Sequence, residues 1–279
     1  MIDIQNESDE REIPLKKVGI KNLMYPVVVL DKAHKTQATN ACVELFVNLP
    51  HNFKGTHMSR FIETFHKYSK DFSMKSFLAM LEDLRTYLDA EKCFGLVRFP
   101  FFIEKKAPVS GQCGMMCYTC TYEGSVTEAA ESDTDTHSIS NFYVSIEVPV
   151  TTLCPCSKAI SDYGAHNQRG SVTVKVQSED FFWIEDIIAL VEQSASSGIY
   201  SVLKRQDEKF VTEHAYDNPR FVEDIVREVY SQLRSFSHNI PLRYFSVEAE
   251  SFESIHAHNA YAFSEYKGNY ENILPINID

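Results

Sequence analysis

Glycine and proline are sparse, ten of each in 279 residues, which excludes collagen-like repeats and the Pro/Gly-rich composition of low-complexity chains. Long apolar runs are missing as well. None approaches the ~20 residues that a membrane-spanning helix needs, so no membrane segment is expected. The opening MIDIQNESDEREIP is acidic and has neither the basic nor the apolar region of a secretory signal peptide, and a soluble cytoplasmic protein is the expectation. Basic charge is in deficit, with 27 Lys+Arg against 39 Asp+Glu and a net charge of −12. An acidic surface repels phosphate backbones, so no nucleic-acid partner is expected. One small anion is still possible, because a local cluster of Lys and Arg dominates within a Debye length. Neither GxGxxG nor GxxxxGK[ST] occurs, which removes both glycine-rich phosphate-loop folds.

What is present is a 44% hydrophobic chain with 19 Phe and 14 Tyr, enough for one large core or two units of roughly 140 residues. Its seven cysteines are an odd number at irregular spacings, which argues against a disulfide framework and for metal or nucleophile chemistry.

Residues 1–23 read as a polar tail. Tyr25 to Asp31 and Ala38 to Pro50 are rich in β-branched and aromatic residues and read as strands. Ser59 can cap a helix bearing Phe61, Ile62 and Phe65. Ser73 can cap another, with Phe77, Leu78, Leu81, Leu84 and Leu88 on one stripe. Strands follow over CFGLVRFPFFIEKK and from Met115 to Glu123. The acidic stretch Glu123 to Asn141 reads as an exposed loop or linker. The order then repeats: strands at FYVSIEVPVTT and Gly170 to Asp180, helices at FFWIEDIIALVEQSA and RFVEDIVREVYSQLRSF, strands at RYFSVEAESFE and NAYAFSEYK. The second of those helices carries Phe221, Ile225, Val229 and Leu233 on one stripe, behind Pro219. Two β-β-α-α-β-β units predict an α+β fold with antiparallel sheets and paired helices on one face. The units are placed at 24–123 and 142–279, with 124–141 between them.

Four segments could carry chemistry. PVTTLCPCSKAISDYGAHNQRG (Pro149 to Gly170) crowds two thiols, Lys158, His166, Asn167, Gln168 and Arg169 between two strands, where a connection is normally short. Pro155 biases Cys154 to an extended backbone, and alternate residues of extended chain share a side, so Cys154 and Cys156 could reach one site. In SFESIHAHNAYA, Glu253 and His256 come together on a helical turn or tight loop, with His258 nearby. Carboxylate, imidazole and thiolate together suit a borderline divalent ion. In LKRQDEKFVTEHAYDNPRFVED, Lys204 and Arg205 could neutralise phosphate and Glu208 or Glu213 could bind a metal. Glu223, near a helix start, could accept two hydrogen bonds from a guanine-like edge. The fourth, Cys113, Cys117 and Cys120, has the C-x₃-C-x₂-C spacing of radical-enzyme clusters. It falls inside a strand, where Cys117 and Cys120 face opposite ways, and reads as coincidence.

These motifs, with GTHMSRF (Gly55 to Phe61), together resemble the type IB GTP cyclohydrolase I family from about residue 14 to the C-terminus. The resemblance implies a tunnelling fold assembled into a homotetramer with sites at subunit interfaces. It implies hydrolysis of GTP to formate and 7,8-dihydroneopterin triphosphate, an attack on cyclic amidine C–N bonds that opens folate biosynthesis and the route to some modified tRNA bases. It implies a divalent cofactor, Zn²⁺, Mn²⁺ or Fe²⁺, held by Cys154, Glu208 (or its neighbour Glu213), Glu253 and His256. By the same resemblance Cys156 is a second essential thiol, His166 the acid/base, and Glu223 the guanine anchor. Lys158, Arg169, Lys204 and Arg205 are the candidates for the triphosphate. A tunnelling-fold nitrile reductase, with a thiol nucleophile and no metal, is the alternative; bound metal and released formate separate the two.

Overall fold

The computed structural model describes residue 5 and residues 9–129, 138–178, 180–236 and 240–268. In chain order the elements are β1 (Leu15–Asp31), β2 (Lys35–Leu49), α1 (Met58–Tyr68), α2 (Met74–Tyr87), β3 (Lys92–Lys106), β4 (Cys113–Thr127) and β5 (Ile139–Leu153). Then come α3 (Pro155–Ile160), β6 (Asn167–Ser178), α4 (Ile184–Ser194), β7 (Ser197–Gly198), α5 (Arg205–Asp217), α6 (Val222–Phe236), β8 (Leu242–Ser251) and β9 (Ala260–Lys267). The described residues thus form an α+β chain with six helices and an antiparallel sheet of nine strands. None of these helices is long and apolar enough to cross a membrane. Of the acidic stretch Glu123 to Asn141 expected as a loop, residues 123–127 instead end β4 and residues 139–141 begin β5, while residues 130–137 lie outside the described residues.

The chain divides into two compact units, one taking the residues up to Phe99 with Thr121–Val144, the other Pro100–Cys120 with the residues from Ser145. In the first, β1 and β2 form a hairpin whose turn is closed by Asp31, with Oδ1 accepting the amides of Ala33 (2.8 Å) and His34 (2.7 Å). The strand β1 begins at Leu15 rather than Tyr25. Its polar half, with Lys16, Lys17 and Lys21, pairs with β2 on one side only, and such a strand tolerates charge that a central one would not. Helix α1 starts behind His57 instead of Ser59, with no side-chain cap. Helix α2 has the expected Ser73 cap, closed into a capping box by Ser76. Its buried face is Phe77, Met80, Leu81 and Leu84.

Around Phe77 the first unit is aromatic. Tyr122 stacks on Phe72 at 5.7 Å between centroids and meets the edges of Phe99 (5.1 Å) and Phe142 (5.2 Å). Glycine in the adjacent strand follows from this packing: a Cβ on Gly124 would stand 2.8 Å from a Phe77 ring carbon.

In the second unit, alternating residues of β5, β6 and β8 (Val148, Val150, Val172, Val174, Val176, Phe245, Val247) form the buried layer. Helix α4 adds Ile187, Ile188 and Val191, and α6 adds Val222, Ile225, Val229 and Leu233. Phe221, expected on that stripe, precedes the helix and is 38% exposed. Two helices were not expected. Helix α3 begins directly after Cys154, with Pro155 as its first residue: Cys154 has the extended backbone expected before a proline, but the chain turns helical at Pro155, so Cys154 and Cys156 do not alternate along one extended strand. Helix α5 buries only Asp207 and Ala215, too little apolar surface to give a helical stripe.

Candidate active site

The residues from Cys154 to His166 form a loop tied shut at its neck. The Cys154 amide donates to the His166 carbonyl (3.1 Å), and the His166 amide donates to Ser157 Oγ (3.2 Å). Ser157 in turn donates its hydroxyl to the Cys154 carbonyl (3.1 Å) and its amide to Cys154 Sγ (3.4 Å). The thiol therefore caps α3. Cys156, two positions on, is an exposed residue of α3.

His166 leads into β6, and its Nδ1 lies 2.9 Å from Gln168 Oε1 and 3.9 Å from Glu253 Oε2. Glu253 follows β8 in a loop pinned by the Phe252 amide on the Arg169 carbonyl (2.9 Å) and by Asn259 Nδ2 on Glu250 Oε1 (2.7 Å). That tight loop also carries His256 and His258, whose rings stack at 5.2 Å. From the other side, Arg220 donates its amide to the Leu153 carbonyl (3.0 Å) and its Nε to Asn218 Oδ1 (3.1 Å). This fixes the start of α6, where Glu223 occupies the first turn. Cys154, His166, Arg220, Glu223, Glu253 and His256 all line one cavity of about 270 Å³.

The other sequence candidates stand elsewhere. Lys158 Nζ donates to the Tyr216 carbonyl (2.5 Å) and lies 4.3 Å from that ring's centroid. Arg169, Lys204, Arg205 and Glu208 are exposed and do not line the cavity. Glu213 is paired with Lys209 (2.6 Å) and lines a different hollow, beside Tyr216. Sequence reasoning did not single out Arg220, Thr152 or Ser251, and quoted Gln168 only within a polar run. The dipeptide Pro219–Arg220 before an amphipathic helix was the available signal for the first; the two hydroxyls gave none.

The donors on the cavity wall are of the right kind for a borderline divalent ion: one thiol, two carboxylates and three imidazoles. Among the described residues, however, no three His, Cys, Asp or Glu side chains stand close enough to hold one between them. Cys154, Glu253 and His256 thus fit such an ion by chemistry, while Glu208 does not join them within one chain.

The end of α5 bearing Lys204, Arg205 and Glu208 is anchored by Asp207, which is fully buried. Its carboxylate accepts the Val109 amide (2.8 Å), the Ser110 amide (2.7 Å) and hydroxyl (2.6 Å), and the Lys204 amide (2.8 Å). Burial alone would raise its pKa; these hydrogen bonds outweigh that and hold it below the usual carboxylate range. Stability from this group is therefore present above the unfolded-state value of ~3.9 and is lost as pH falls through the lower folded value. Asp207→Asn should lower the urea midpoint at pH 7, with the difference from wild type shrinking below about pH 4. A gap that stayed constant down to acid unfolding would contradict this.

A family model described as type I GTP cyclohydrolase folE2 matches residues 1–262. A GTP cyclohydrolase FolE2 of Syntrophus aciditrophicus is 54% identical over 265 residues, covering 95% of this chain and 99% of its own. That of Geobacter metallireducens is 49% identical, covering 95% and 97%. Among solved structures, urate oxidase from Bacillus sp. TB-90 superposes with a TM-score of 0.52 at 8% identity, covering 90% of this chain and 99% of that one. Uricase from Arthrobacter globiformis gives 0.50 at 7%, covering 93% and 96%. At such identities these two report the fold alone, a tunnelling-fold-like α+β arrangement. The chain belongs to the type I GTP cyclohydrolase FolE2 family.

Proposed function

We propose that the chain, whose relatives are named GTP cyclohydrolase, hydrolyses GTP to formate and 7,8-dihydroneopterin triphosphate in the cavity lined by Cys154, His166, Glu223 and Glu253. The observation that carries this reading is the joining of three sequence-distant groups in one hollow: a thiol beside an imidazole, a loop carboxylate with two further imidazoles, and a carboxylate at a helix start.

Water must attack C8 of the purine, and the opened ring needs a proton on its departing nitrogen. A divalent ion held by Cys154, Glu253 and His256 would supply the nucleophile by lowering the pKa of water towards ~7. His166 exchanges protons with the reacting atoms, a task suited to an imidazole whose unperturbed pKa is ~6.5. Glu223 orients the purine through its N–H edge. Arg220, the one Lys or Arg on the cavity wall among the described residues, is placed to neutralise developing or phosphate charge.

Glu208, Cys156, Lys158, Arg169, Lys204 and Arg205 lie outside that cavity. In our reading they meet the substrate through assembly of two-unit chains into a homotetramer. A cytoplasmic setting is part of the reading, since all seven cysteines are free thiols, as suits a reducing compartment. Incubation of purified protein with GTP and Mn²⁺ or Zn²⁺ should release formate and the pterin chromophore in equal amounts. GTP left unchanged by metal-loaded protein would overturn the assignment.

A further inference from the structure

Behind His166 lies a closed triangle of hydrogen bonds. Gln168 Nε2 is 2.8 Å from Thr152 Oγ1 and 3.1 Å from Ser251 Oγ, and those two hydroxyls are 2.9 Å from each other. Both hydroxyl residues are 2% exposed. Three contacts need three protons. Two hydroxyls supply two, and an amide oxygen supplies none, so the triangle closes only with the amide nitrogen facing the hydroxyls. The reversed amide would leave two oxygens abutting without a proton between them, a cost borne in a buried place.

With the nitrogen fixed there, Gln168 Oε1 must face the imidazole, and it can only accept. It takes the His166 Nδ1–H at 2.9 Å and, on its second lone pair, the Ser254 hydroxyl at 3.3 Å.

From this geometry we infer that Gln168 is a positioning residue which holds His166 in its Nδ1–H tautomer. The Thr152–Ser251 pair sets the orientation of the amide. Nε2 is then the nitrogen with the free lone pair, and the imidazole takes up or returns protons there. The consequence for catalysis rests on His166 being the acid/base proposed above; the tautomer itself does not.

The test labels the histidines with ¹⁵N and reads the His166 tautomer by long-range proton–nitrogen correlation in the intact protein. Wild type should show Nδ1–H. Gln168→Leu should shift His166 towards Nε2–H and lower kcat about 10–100-fold with KM near wild type. Gln168→Glu, which still offers an acceptor to Nδ1–H, should recover Nδ1–H and about tenfold of the lost kcat. Thr152→Val removes the proton shortage, and a mixture of tautomers should appear. An Nε2–H signal in the wild type, or no tautomer shift in either Gln168→Leu or Thr152→Val, would overturn the inference. If the tautomers behave as stated but His166→Ala keeps full turnover, the positioning stands and the acid/base role of His166 falls.

Discussion

His166→Ala should lower kcat for GTP by about 10²–10⁴-fold, the usual worth of a positioned proton-transfer group, and leave nucleotide affinity close to wild type. The reason for separating the two lies in which atoms hold the loop. The bonds that close its neck run through the His166 amide and carbonyl, to Ser157 Oγ and from the Cys154 amide, and alanine keeps both. Cys154 therefore stays at the head of α3 and the cavity keeps its shape. What alanine removes is the imidazole, with the Gln168 and Glu253 contacts behind it. Formate release and calorimetric titration with GTP measure the two quantities independently. Parallel loss of turnover and affinity would make His166 a binding residue and move the proton transfer elsewhere on the cavity wall.

Much of this arrangement was legible because the chain writes its strong elements locally. Ser73 with the Phe77–Leu81–Leu84 spacing specifies α2, and the alternation Val172, Val174, Val176 specifies β6. Elements held by one polar side chain were not legible. Helix α5 is held by Asp207 reaching the Val109–Ser110 turn, nearly a hundred residues away in sequence, and no periodicity records such a bond. Helix α3 has six residues, below what a periodic pattern can show, although a residue able to cap followed by proline was its local mark.

The site divides along the same line. Cys154 and His166 share one loop, and Glu253 with His256 another, so sequence proximity gave half of each pairing. That the loops meet is set by the β6–β8 pairing, which places Gly170 opposite Ser251. Thr152 and Ser251, the hydroxyls behind Gln168, look like any polar strand residues until that register is known. The cations chosen for phosphate were picked by charge alone, and charge does not say which way a side chain turns: Lys158 turns to Tyr216.

Glu223→Gln should weaken GTP by about 10²–10³-fold, the loss of two charge-assisted hydrogen bonds at ~1.5–2 kcal/mol each, while affinity for ATP stays near wild type. A carboxylate offers two acceptors in one plane, which matches the ring N–H and amino N–H of guanine. The amide replaces one acceptor with a donor and sets N–H against N–H. Adenine has a bare ring nitrogen in place of that N–H, so it gains nothing from the carboxylate and loses nothing with it. Sites built to pair a substrate's hydrogen-bonding groups discriminate by up to ~10⁴–10⁵, which leaves room for the expected change. The substitution should be quiet structurally. Glu223 is an exposed first-turn residue of α6, and an acidic group there is worth only about 0.3–1 kcal/mol through the helix dipole. The apolar face of α6, from Val222 to Leu233, is untouched. Calorimetry with GTP and ATP on the folded variant decides the matter: equal weakening of both would mean a general electrostatic effect, and unchanged GTP affinity would remove Glu223 from purine recognition.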